Sequence, residues 1–185
     1  MILIAGLGNP GEEHRLTRHN IGFLIIDKFA EALDRKKDYH KFNSSIVESS
    51  YNGEKLLLIK PLTFMNNSGN AVASVYNLFK DEIDSILVIS DDIDIKLGEI
   101  RFKVNGGTGG HKGLESIVRR LVNVDFDRLR FGVSRPPGRK NASDYVLEEF
   151  KRNEISEAEV SIQRAADAVK DYIVNGIEYC MNKYN

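Results

Sequence analysis

The chain has 185 residues, a formal net charge of −1 and one cysteine, Cys180. That length suits one domain spanning residues 1–185, and the balanced charge excludes a protein that holds polyanions by its overall charge, so any nucleic-acid partner needs basic groups gathered on one face. A lone cysteine leaves no disulfide framework and no cysteine-based metal site and suits a reducing cytoplasm; the apolar start is too short for a membrane span and runs into glycines rather than a cleavage site.

The opening run "MILIA" predicts a strand buried on both faces. It leads into "GLGNPG", in which Gly6, Gly8 and Gly11 spell G-x-G-x-x-G, the fingerprint of dinucleotide-binding folds. The context is wrong for that role. The stretch "EEHRLTRHN" has no apolar stripe for a helix to bury, Pro10 fixes a turn inside the motif, and Asp27 and Glu31 fall within a helical pattern instead of ending a second strand. The motif reads as a tight strand exit that exposes Asn9.

A helix is expected from about Asn20, with Ile21, Ile25, Phe29 and Leu33 on one face. "SIVESSYNGEKLLLIK" predicts a hairpin turning at Asn52-Gly53. "PLTFMNNSG" follows as a loop, then a helix through "AVASVYNLF", with Phe64 and Met65 read as core residues. "SILVISDD" is another buried strand, and "EIRFKV" alternates like a strand with one wetted face. The glycine-rich "NGGTGGHKG" runs into the helix "LESIVRRL", "DRLRFGVS" forms a further strand, and "RPPGRKN" is a basic loop. A long C-terminal helix carries Ile162, Ala166, Val169 and Ile173 on one face. Strands alternating with helices predict an α/β fold, a three-layer sandwich with a mixed, twisted sheet flanked by helices.

In such sheets the working groups gather beyond the carboxyl ends of the strands. After the first strand come Asn9 and His19-Asn20, after the third Asn66 and Asn67, after the fourth Asp91, Asp92 and Asp94, and after the fifth the glycine loop with His111 and Lys112. His19, at a loop-to-helix junction, is the candidate general base, with Asp91 as the carboxylate that orients it. Asn9 and Asn66 could donate from their amides to a carbonyl oxygen that gains charge during attack. A magnesium site from Asp91, Asp92 and Asp94 ranks below this reading, because alternation sends Asp91 and Asp92 to opposite faces. "GGTGGHKG" lacks the Gly-Lys-Ser/Thr of a phosphate-binding P-loop, yet it can offer clustered amides to an anion. Arg101, Lys103, Lys112, Arg119, Arg120, Arg128, Arg130, Arg135, Arg139 and Lys140 fall close together in sequence and would form a positive patch if they share a face.

Taken in order, "GLGNPG", "TRHN", "FMN", "SDDIDIKLG", "GGTGGHKGL" and "RLRFGV" resemble the bacterial peptidyl-tRNA hydrolase family from Ile2 to about Phe150. The resemblance implies a cofactor-free, metal-independent cytoplasmic enzyme, monomeric, that cleaves the ester linking a peptide to the 3′ end of tRNA. It implies His19 as the catalytic histidine, Asp91 as its partner, Asn9 and Asn66 as cleft amides, Met65 as cleft wall, and Lys103 and Arg130 as holders of the tRNA end phosphate. Two positions depart from the family pattern: His14 replaces a frequent tyrosine, and Lys112 replaces a usual asparagine after "GGH".

Overall fold

The computed structural model describes residues 1–34 and 37–185. All its strands enter one seven-stranded sheet in the order β2-β3-β4-β1-β5-β7-β6. The strands are β1 (Ile2–Gly6), β2 (Lys37–Lys41), β3 (Ser44–Tyr51), β4 (Glu54–Pro61), β5 (Ser85–Asp92), β6 (Ile100–Val104) and β7 (Asp127–Gly132). The centre is parallel, with β1 between β4 and β5 and β7 beside β5, whereas β2, β3 and β6 run antiparallel to their neighbours. The expected mixed sheet is therefore present, and the hairpin turns at Asn52-Gly53 between β3 and β4.

Alternation along the central strands builds both cores. Ile2 and Ile4 of β1, with Leu87 and Ile89 of β5, pack under α1 (Ile21–Ala30) and α5 (Ile155–Tyr184). Leu3, Ala5, Ile86 and Val88 face α2 (Ser68–Phe79) and α3 (Lys112–Arg120) on the other side. Burial on both faces is why these strands read as unbroken apolar runs. Leu3, Leu87 and Ile89 are fully buried, and truncating any of them to alanine is expected to cost about 2–5 kcal/mol.

The glycines of "GLGNPG" serve this packing. A Cβ on Gly6 would lie 2.3 Å from the carbonyl oxygen of Gly22, and one on Gly22 would lie 2.3 Å from the Leu7 amide nitrogen, so α1 crosses the end of β1 with its backbone in contact. Asn9 is buried, not exposed as expected, because the strand exit folds under this helix.

Three features depart from the sequence reading. Strand β2, "KDYHK", is an exposed edge strand whose charges mask any alternation and discourage further pairing. A short α4 (Ala142–Val146), capped by Asn141 Oδ1 on the Ser143 amide at 3.0 Å, lies within the C-terminal region. The long helix α5 is interrupted at Gly176, where φ is 79°. The helical segment after this kink brings Asn185 onto β6: its Oδ1 accepts from the Phe102 amide at 2.8 Å and its Nδ2 donates to the Phe102 carbonyl at 2.9 Å. Among the described residues no helix is long and apolar enough to cross a membrane.

Candidate active site

The exits of β1, β4 and β5 and the loop before α3 meet at a cleft of about 370 Å³ lined by Asn9, His19, Met65, Asn66, Asp91 and His111, with Val146 of α4 and the Leu147 that follows it also in the lining. His19 stands on a single 3₁₀ turn, Arg18–Asn20, that leads into α1. Asp91 continues the odd-numbered face of β5 toward that turn, and His19 Nδ1 lies 2.8 Å from Asp91 Oδ1.

His111 approaches the same oxygen from the other side, its Nε2 2.9 Å away. The protons on the two rings follow from the remaining contacts. His111 Nδ1 accepts from the Gly113 and Leu114 amides at 3.2 and 3.3 Å, capping α3, so its proton sits on Nε2 and is donated to Asp91. His19 donates from Nδ1, which leaves its Nε2 lone pair toward the cleft. Burial alone would raise the Asp91 carboxyl, but electrostatic attraction to the two N–H groups of the imidazoles and the hydrogen bonds they donate outweigh it and hold the group well below the usual carboxylate range. The side chains of His19 and His111 are 12 % and 10 % exposed, and both rings line the cleft.

The turn that carries His19 is fixed from both sides. Asn20 Oδ1 accepts from the Asn9 amide at 2.8 Å and its Nδ2 donates to the Asn9 carbonyl at 2.9 Å. Arg18, fully buried, lies 4.4 Å from the Tyr145 ring and 4.9 Å from the Phe150 ring, and pairs with Glu154 at 2.6 Å. Asn9 Oδ1 accepts from the Met65 amide at 2.7 Å, which fixes the amide so that its NH₂ is the end left for the cleft. Asn66 is exposed on the cleft wall, and Met65 is buried, belonging at once to the core and to that wall. Phe64, expected in the core, is 60 % exposed at the rim, where His14 meets it edge-on at 6.5 Å between centroids.

The three acids do not converge. Asp91 serves the histidines, Asp92 accepts from Arg130, and Asp94 accepts from Arg135. The group that could ligate a metal among the described residues is instead His19, Asp91 and His111, whose ligand atoms are within 4.8 Å of one another. Its atoms are joined in the hydrogen bonds just given.

The expected positive patch is smaller than its residue count. Arg101, Lys112, Arg130, Arg135 and Lys140 pair with Glu99, Glu115, Asp92, Asp94 and Glu148. Lys103 is exposed on β6, Arg128 is buried, and Arg130 reaches the cleft while held by Asp92. Lys112 is exposed, its ammonium 3.2 Å from Glu115.

Residues 3–185 match the family model for peptidyl-tRNA hydrolase. The chain belongs to the peptidyl-tRNA hydrolase family. Relatives named peptidyl-tRNA hydrolase from Syntrophomonas wolfei and a Thermoanaerobacter species are 44 % and 43 % identical over 185 residues, all of this chain and of each relative. The crystal structure of peptidyl-tRNA hydrolase from Acinetobacter baumannii is 34 % identical and superposes with a TM-score of 0.90, covering 100 % of this chain and 94 % of that one. As a member of this family the chain is a carboxylic ester hydrolase acting on the ester bond of peptidyl-tRNA. Of the residues that the family resemblance marked, the cleft lining brings together His19, Asp91, Asn9, Asn66, Met65 and Arg130, whereas Lys103 and the divergent His14 lie outside it; three further residues, one in the lining and two behind it, support His19 and Asp91. His111 stood in the sequence as part of the glycine loop without a role, although a histidine at a helix start facing an acid was a usable signal. Arg18 and Asn20 flank His19 in "TRHN", and nothing in their spacing shows that one is buried against α4 and the other bonded to Asn9.

Proposed function

We propose that His19 Nε2 takes a proton from water, whose oxygen then attacks the ester carbonyl carbon between peptide and tRNA. Asp91 keeps the imidazole in the required tautomer and supports the imidazolium that forms. The amide of Asn9, and Asn66 across from it, donate to the carbonyl oxygen as it gains charge. Collapse of the tetrahedral intermediate breaks the bond to the ribose oxygen, which leaves with the proton returned by His19. A ribose hydroxyl is a far better leaving group than an amine, so the amide bonds of the peptide survive.

The single observation that carries this reading is the meeting of His19 Nδ1 and His111 Nε2 at Asp91 Oδ1, at 2.8 and 2.9 Å, from which His19 Nε2 follows as a bare acceptor beside the cleft. In the same reading Lys103 and Arg130 hold the phosphate of the tRNA end. His14 and Met65 shape the peptide side of the cleft, and Lys112 reaches outward to RNA. The chain works as one domain and one copy, in the cytoplasm, without a metal or cofactor. Release of free tRNA from N-acetylated aminoacyl-tRNA, compared with the same ester bearing a free amino group, tests the substrate class. Turnover of the blocked ester is expected to dominate, and equal turnover of both would overturn recognition of the peptide.

A further inference from the structure

Strands β6 and β7 gather four cations on one sheet face. Their antiparallel register sets Lys103 opposite Arg128 and Arg101 opposite Arg130, while Phe102 and Leu129 point into the core behind them. Like charges directly opposite across a strand pair repel. Three of the four have relief: Arg130 is held by Asp92 at 2.7 Å, Arg101 lies 3.5 Å from Glu99, and Lys103 is open to solvent.

Arg128 has none of these. It is 3 % exposed and forms no ion pair with a carboxylate among the described residues. Its terminal nitrogens donate to the carbonyls of Gly107, at 2.7 Å, and Gly106, its guanidinium lies 5.2 Å from the Phe126 ring, and its Nε has no partner. Burial first, and the charge of Arg130 second, lower its affinity for its proton. A buried cation compensated only by carbonyls and a ring is a poor device for stability.

What Arg128 grips is the base of the glycine-rich loop. Asn105 anchors the same base, its Oδ1 accepting from the Phe126 amide at 3.2 Å. Farther out, side chains at Gly107, Gly109 or Gly110 would meet nothing within 4 Å, so the apex is unpacked. At Gly106 a Cβ would fall 2.7 Å from Lys103 Cε and 3.0 Å from Lys103 Nζ. The ammonium end of Lys103 therefore lies along the segment whose carbonyls Arg128 holds.

We infer that Arg128 is a positioning residue for tRNA binding: by gripping Gly106 and Gly107 it fixes the base of the glycine loop and, through that backbone, the place of the Lys103 ammonium. The inference rests on the reading in which Lys103 meets a tRNA phosphate. The fork of a guanidinium suits this task because it bridges two successive carbonyls; a lysine ammonium keeps the charge but is a point donor without the fork.

The test is a double-mutant cycle of Arg128→Lys and Lys103→Ala, with KM for N-acetylated aminoacyl-tRNA measured from about 50 to 200 mM salt. Lys103→Ala should lower the slope of log affinity against log salt by roughly 0.7–0.9, so its deficit relative to wild type narrows about threefold over that range. Arg128→Lys, with its charge intact, should lose the same slope, raise hydrogen exchange at the amides of residues 105–110, and add nothing in the Lys103→Ala background. Gly106→Ala, strained at φ 98° and crowding Lys103, should reproduce the slope loss with Arg128 in place, and it carries the test should Arg128→Lys not fold. Additive effects, or wild-type behaviour of Arg128→Lys, would overturn the positioning role alone. An unchanged slope in Lys103→Ala would overturn the phosphate reading itself and this inference with it.

Discussion

Asp91→Asn isolates what the negative charge contributes beyond geometry. An asparagine oxygen can stand where Oδ1 stands, so His19 Nδ1 and His111 Nε2, at 2.8 and 2.9 Å, each keep an acceptor. Neither bond remains charge-assisted, and each drops from about 1.5–3 to about 0.5–1.5 kcal/mol. The anion that would support the imidazolium on His19 is also gone. Only the part of this loss that appears as His19 takes up its proton counts against the rate. We place it at about 2–3 kcal/mol of barrier, a fall in kcat of about 30- to 150-fold. His19→Ala removes the proposed base itself and should fall at least as far, by about 10²–10⁴-fold. Single-turnover release of tRNA from N-acetylated aminoacyl-tRNA gives the chemical step, and thermal unfolding run in parallel separates it from damage to the fold. An Asp91→Asn rate within about threefold of wild type would refute the reasoning, because the histidine would then work without its counter-ion.

Lys112→Asn should change kcat by less than about threefold, under about 0.7 kcal/mol of barrier, and weaken tRNA binding slightly at low salt, since Lys112 is exposed and paired to Glu115; a tenfold change in kcat at saturation would place the side chain at the reacting centre. Phe64→Ala should raise KM at least about threefold while unfolding stays within about 0.5 kcal/mol, because the ring is 60 % exposed at the rim; an unchanged KM would remove the rim from substrate contact. For Glu154, burial would raise the carboxyl, but the hydrogen bonds from Arg18 and the Lys151 amide, together with the charges of Arg18 and Lys151, outweigh it and keep the folded pKa below the ordinary 4.5. Its ionised form therefore adds stability that is complete above about pH 4.5 and lost as pH falls through the folded value. Glu154→Gln should cost about 1–3 kcal/mol near neutral pH, with the gap to wild type closing in acid; a gap that persists unchanged in acid would contradict the pairing.

The fold was legible where one physical signal dominates. Strands β1 and β5 bury both faces, so "MILIA" and the "ILVI" of β5 are apolar throughout, and the hairpin is marked by Asn52-Gly53. Strand β2 was illegible because an edge strand gains little from burial: its lysines, aspartate and histidine face solvent, and pairing with β3 alone defines it. The end of the chain escaped for a related reason. Nothing local in "MNKYN" shows that Asn185 serves as the hydrogen-bond partner of Phe102, because that pairing joins positions 83 residues apart.

The site was legible as a set of chemical types and illegible as a division of labour. Histidine, carboxylate and amides beyond strand ends are what an α/β sheet places at its rim, so His19, Asp91, Asn9 and Asn66 could be named from order alone. Which nitrogen is free could not be named, because it depends on contacts made by a third residue. If His111 were absent, Asp91 would serve one imidazole and the helix cap at α3 would need another acceptor. With His111 present, the two backbone amides of Gly113 and Leu114 force its proton onto Nε2, and that proton meets the same oxygen that His19 addresses. The start of α3 thereby sets the charge balance at Asp91. His19→Ala and His111→Ala should for that reason differ in kind: the first removes the proposed base, whereas the second leaves that residue beside a counter-ion that has lost one of its two hydrogen-bond donors.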